Sequence, residues 1–126
     1  MAAVEFALIA PVLVTMVLTL VDVSTMAVGT TNMQAAVRAT LQYLINGNTD
    51  TTAAQTQGNN AWVSKPTGAT LNATQACKCA GAAHDCAAAC ADNTIPLMYF
   101  TVTATATLGG SIVSQSKTVT QTVRVR

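Results

Sequence analysis

Met1-Ala-Ala-Val-Glu5-Phe-Ala-Leu-Ile-Ala-Pro11-Val-Leu-Val-Thr15-Met-Val-Leu-Thr-Leu20-Val21 opens the chain, and its reading decides the fold. Glu5 is the sole charged side chain in this stretch, and every other residue is apolar or small. Val4 to Val28 is long enough, at about 1.5 Å per helical residue, to cross a hydrocarbon core of about 30 Å. A carboxylate at membrane depth costs roughly 2.5–3.5 kcal/mol or more, so a sequence that keeps one there uses it. Thr15, Thr19, Ser24 and Thr25 are placed to bond back to carbonyls of the preceding turn. Pro11 lacks an amide hydrogen and is expected to kink the helix or open it near Ala7. Asp22 is the second acid of the segment, read as a charge at an interface or one paired between subunits.

Working outward, the apolar run gives way at Gly29 to an amphipathic pattern. Met33, Ala36, Val37, Thr40, Leu41, Leu44 and Ile45 recur at three- and four-residue steps, and Asn46-Gly47-Asn48 stops the helix. The chain therefore divides into a hydrophobic helix of transmembrane length over 1–28, an amphipathic continuation over 29–46, and a head over 47–126. In the head, Asp50 or Thr51 caps a short helix ended by Gly58, and Trp62 and Val63 plug its junction with the long helix. Lys65-Pro66-Thr67-Gly68 reads as a turn and 69–80 as a first strand. Thr101, Thr103, Thr105 and Thr107 alternate with Val102, Ala104, Ala106 and Leu108, Gly109-Gly110 supplies a tight turn, and a Val- and Thr-rich partner follows, making a C-terminal hairpin over 98–125. The threonines face water. The fold class is α+β: a long N-terminal hydrophobic helix with a small antiparallel sheet of three strands stapled by disulfides.

The staples are Cys77, Cys79, Cys86 and Cys90. Cys77 and Cys79 lie on one strand face and are poorly placed to bridge each other. A hairpin around Gly81 favours nested bonds, Cys77–Cys90 and Cys79–Cys86, with the crossed set, Cys77–Cys86 and Cys79–Cys90, as the alternative. Four cysteines around His84 also have the ingredients of a zinc site. An exported chain favours disulfides, so no metal is expected and His84 reads as a solvated turn residue.

Composition narrows function further. The 126 residues are 51% hydrophobic and 9% charged with net charge +1, which gives no electrostatic case for nucleic acid. No Gly-rich phosphate loop, metalloprotease helix or calcium loop occurs, and one His with scattered Asp makes no catalytic triad. Neither enzyme nor cofactor is expected.

Met1 to Pro11 resembles the mature N-terminus of a type IV-type pilin, and more narrowly Ala3-Val-Glu5-Phe-Ala-Leu-Ile-Ala-Pro11 resembles the TadE-like pilins of Flp/Tad systems. The resemblance implies a chain processed by prepilin peptidase, which fits the lack of a basic flank before Arg38. It implies a pool in the inner membrane, then pilus assembly machinery and a homo-oligomeric helical filament outside the cell, used for surface attachment. Met1, Glu5, Phe6, Pro11 and Asp22 are the expected assembly residues, with Glu5 accepting the amino terminus of a neighbouring Met1. The alternatives are a minor pseudopilin that primes or tips the filament, and a monomeric bitopic membrane protein with a binding head.

Overall fold

The computed structural model describes residues 2–110 and 112–126, the side chains of Ala2 and Ala3 excepted; the described residues form two helices and four strands. Helix α1 (Ala2–Ile45) is one continuous element of 44 residues, about 66 Å long at 1.5 Å per residue. It runs through Pro11 without interruption. Thr15, Thr19 and Thr25 make the expected bonds to carbonyls at Val12, Thr15 and Asp22, and Thr30 and Thr31 do the same further along. These hydroxyls find acceptors inside the helix and need no water. The helix ends before Gly47, at φ 92, and the Asn48 side chain donates through Nδ2 to the freed Tyr43 carbonyl at 3.1 Å.

Helix α2 (Thr51–Ala61) follows. Asp50 is its N-cap, accepting from the amides of Thr52 and Ala53 at 2.9 and 3.1 Å. Gly58 does not end this helix, as the sequence reading expects. It lies inside α2 and is buried, and a Cβ there would run into the Thr40 hydroxyl, Leu71 and the Ala36 carbonyl. The missing side chain lets α2 press its backbone onto α1, while the helix stops at Trp62. Trp62 is buried at that junction, whereas Val63 is exposed.

Strands β1 (Thr70–Cys79), β2 (Ala82–His84), β3 (Leu97–Gly109) and β4 (Ser114–Arg124) form one antiparallel sheet in the order β2-β1-β3-β4. The fourth strand is the short return limb after Gly81. On β3, Phe100, Val102, Ala104, Ala106 and Leu108 are buried against the helices, and the threonines between them face out. Met33, Ala36, Val37, Thr40, Leu41 and Leu44 form the matching stripe on α1; Ile45, at its end, is exposed. Among these, each buried Phe, Met, Leu or Val side chain stabilises the head by about 1.5–3 kcal/mol. The outer face carries a hydroxyl ladder: Thr101 with Thr122 at 2.9 Å, Thr103 with Thr120 at 3.2 Å and Thr105 with Thr118 at 3.4 Å.

The disulfides are the crossed pair, Cys77–Cys86 and Cys79–Cys90, with Cα separations of 5.1 and 5.7 Å. This corrects the nested pairing favoured from sequence. Nested bonds require Cys86 to stand across from Cys79. The turn is tighter than that: Ala80 and Gly81, both at positive φ, put Ala82 opposite Cys79 and His84 opposite Cys77. The chain then leaves the sheet at Asp85, whose carboxylate accepts the Ala87 amide at 3.0 Å, and this bend delivers Cys86 to Cys77. Cys90 follows in the same loop and reaches Cys79.

The β3–β4 connection also differs from the tight Gly-Gly turn expected. Gly109 pairs with Ser114, and the Gly110 amide donates to the Val113 carbonyl at 2.9 Å, so the connection is longer than a two-residue turn. The extra length serves a contact with α1.

Candidate functional site

The most exposed apolar surface lies along the N-terminal part of α1. Leu8, Val12, Met16 and Leu20 are each more than 60% exposed, as are Val4 and Phe6. By length and composition the helix is able to cross a membrane, and its most apolar window has no share buried in the chain's own fold. A row of large side chains left bare over this length is matched to lipid or to other helices, because water opposes it.

Glu5 sits in the first turn of α1 and is exposed, next to exposed Phe6. The unpaired amides of that turn and the positive end of the helix dipole favour an acid there. Its expected partner, Met1, lies outside the described residues. Pro11 follows two turns later within the same exposed stretch.

Asp22 has a different setting from its neighbours. It is 6% exposed, while Val21 and Val23 on either side are more than half exposed. Its Oδ2 accepts the backbone amides of Ile112 at 2.8 Å and Val113 at 3.0 Å. Gly110 packs so closely on the carboxyl group that a Cβ at that position would overlap it. The carboxylate thus engages the hairpin tip of its own chain, ninety residues away in sequence. Bonds from amides to an ionised acceptor are among the stronger hydrogen bonds and offset the burial of the charge. Sequence reasoning had no way to find this contact, since backbone amides leave no residue signature. The glycine at 110 was the one trace available. Further along, Leu108 reaches Gly29, where a Cβ would come within 2.8 Å of its side chain. The head therefore meets α1 from Asp22 onward.

The four cysteines are all consumed in the two disulfides. His84 stands at the end of β2, with Nε2 3.2 Å from the Ala89 carbonyl, and braces the disulfide loop. In that loop Asp92 accepts the hydroxyl of Thr94 at 2.6 Å and its amide at 3.2 Å. The Thr94 hydroxyl, and then its amide, hold the Asp92 carboxyl below the usual carboxylate value.

A family model described as TadE-like protein matches residues 1–41, whose described part belongs to α1. By that match the chain is similar to proteins associated with the Tad pilus. The match spans 41 of the 126 residues and does not extend into the head. No curated protein and no solved structure matches the chain.

Proposed function

We propose, from an N-terminal helix that matches the TadE-like family, that this protein is a structural subunit of a Tad-type pilus. The observation that carries this reading is the bare apolar surface of α1 from Val4 to Val21, interrupted by the single acid Glu5. Before assembly that surface lies in the inner membrane. During assembly it bundles with the same surface on other copies, and the heads coat the outside of a filament used for surface attachment. Burial of apolar side chains drives the bundling once subunits leave lipid. Glu5 accepts the amino terminus of a neighbouring copy, since an unpaired buried carboxylate is prohibitive and pairing offsets much of its cost. The pairing sets the axial register of one helix on the next, a specificity role more than a stabilising one. Prepilin peptidase and the pilus assembly machinery are the partners this pathway requires.

The test is electron microscopy of fibres sheared from cells expressing the chain, with the subunit identified from the density. Fibres built throughout from this sequence are expected. Fibres built from another protein, with this chain confined to tips or to the membrane fraction, would replace the reading with that of a minor pseudopilin. In parallel, Glu5→Leu is expected to leave the protein in the membrane while fibre yield collapses.

A further inference from the structure

We propose that the β3–β4 hairpin tip is a second membrane-contacting element, latched to α1 by Asp22 so that Ile112 and Val113 sit in the headgroup–acyl boundary of the bilayer. This rests on the reading of α1 as a bilayer-crossing helix before assembly.

Length argues for the position. Val4 to Val21 spans about 27 Å at 1.5 Å per residue, close to a hydrocarbon core of about 30 Å. With Val4 at one boundary, the other boundary falls at Asp22, where the hairpin tip is held. Burial argues for the occupant. Phe100, Val102 and Leu108 on β3 are turned into the core, whereas Ile112 is 52% and Val113 37% exposed. Their backbone amides are bonded to Asp22, which Val21 and Val23, both more than half exposed, flank along α1. Apolar side chains at this depth bind the interface in proportion to the area they bury.

Charge agrees with the placement. No acidic residue follows Asp92, and the hairpin beyond the tip carries Lys117, Arg124 and Arg126. Lys117 pairs in register with buried Ala106, so it projects on the helix side of the sheet, exposed above the tip. Its long stem suits a position just above the acyl boundary, with the ammonium among anionic headgroups. The Asp22 charge is tolerable at the boundary because two backbone amides donate to it. The two amide bonds to Asp22 are what hold Ile112 and Val113 at this level.

The experiment places a nitroxide at Ile112→Cys in the full chain, the four native cysteines being already paired. The protein is reconstituted as a dilute monomer in vesicles of phosphatidylcholine and phosphatidylglycerol. Collisions with dissolved oxygen and with a water-soluble nickel chelate are then compared with labels at Leu13→Cys and Thr120→Cys. The expected result is a nickel accessibility at 112 several-fold below that at 120, and an oxygen accessibility between those at 120 and 13. Asp22→Ala is expected to raise both the mobility and the nickel accessibility of the label at 112. If 112 is as open to nickel as 120 while 13 is lipid-immersed, the hairpin proposal fails and the bilayer-crossing reading of α1 stands. If 13 is also open to nickel, both fail. Protection at 112 that arises only when fibres form would assign the tip to a neighbouring copy and overturn the membrane assignment.

Discussion

Gly58 and Ala80 show two opposite consequences of having a small side chain or none. At Gly58 the absent side chain is filled space, since Thr40, Leu71 and Ala36 occupy what a Cβ would need. Gly58→Ala is expected to destabilise the head by about 1–3 kcal/mol through overpacking, read as a lower denaturation midpoint of the full chain in detergent. At Ala80 the φ of 50° is one that side chains with a Cβ resist, at a cost of roughly 1–2 kcal/mol. Ala80→Asn keeps the turn and relieves much of that cost, so it is expected to raise the same midpoint. Asp92 supplies a pH effect. Its carboxyl is held below 3.8, so the bonds it accepts from Thr94 stabilise the loop above that pH. They are lost as pH falls through the lowered folded value. The Thr94 amide resonance is expected to titrate below pH 3.8, and Thr94→Val to move the Asp92 midpoint upward toward 3.8.

Among the elements, the β1–β2 hairpin and its loop make the sharpest prediction. Lys78 separates Cys77 from Cys79, and Ala87 to Ala89 separates Cys86 from Cys90. Cleavage of the oxidised protein after Lys78 and within the alanine run is expected to leave all three pieces linked, the piece with Cys79 and Cys86 bridging the other two. Release of that piece with an internal Cys79–Cys86 bond, the other two joined by Cys77–Cys90, would restore the nested arrangement. Reduction is expected to lower stability by about 2–4 kcal/mol per bridge, towards the low end because the loops are short. The threonine ladder between β3 and β4 contributes less. Each cross-strand pair stabilises the sheet by about 0.2–1 kcal/mol, so loss of Thr103 should be barely visible in the midpoint.

For the whole molecule, the head has to hold itself together while the helix it sits on is given over to other contacts. Its core is one layer between the α1 stripe with α2 and the inner face of the sheet, centred on Phe100, Met33 and Leu44. A head of about 80 residues is marginally stable on burial alone, which is why two bridges and a well-packed aromatic matter. Phe100→Ala is expected to remove about 3–5 kcal/mol, enough to melt the head at ambient temperature. Circular dichroism would then show loss of strand signal while the α1 helical signal persists in detergent. Assembly is a separate property. Glu5→Leu leaves every contact of the head untouched, so it is expected to lower fibre yield with no change in melting.

The long helix was legible because its signal is local: an apolar run, the periodic stripe from Met33 to Leu44, and a glycine stop are each contained in a few turns. The β3–β4 alternation was legible for the same reason, since a period of two is written directly in Thr101 to Leu108. Residue type narrowed the cap to Asp50 or Thr51, and the structure gives the role to Asp50. What sequence left undecided depends on pairs distant along the chain or on backbone groups. The disulfide connectivity turned on whether two or six residues made the loop after Cys79, and the register with Ala82 and His84 settled it. Gly58 looked like a stop because the helix it presses against is absent from its local context. The contact of Asp22 with its own hairpin had no signature in the sequence because it is made to main-chain amides ninety residues away, and every residue type but proline has the same amide. Periodicity in one element survives in the sequence, whereas complementarity between elements exists only once they are packed together.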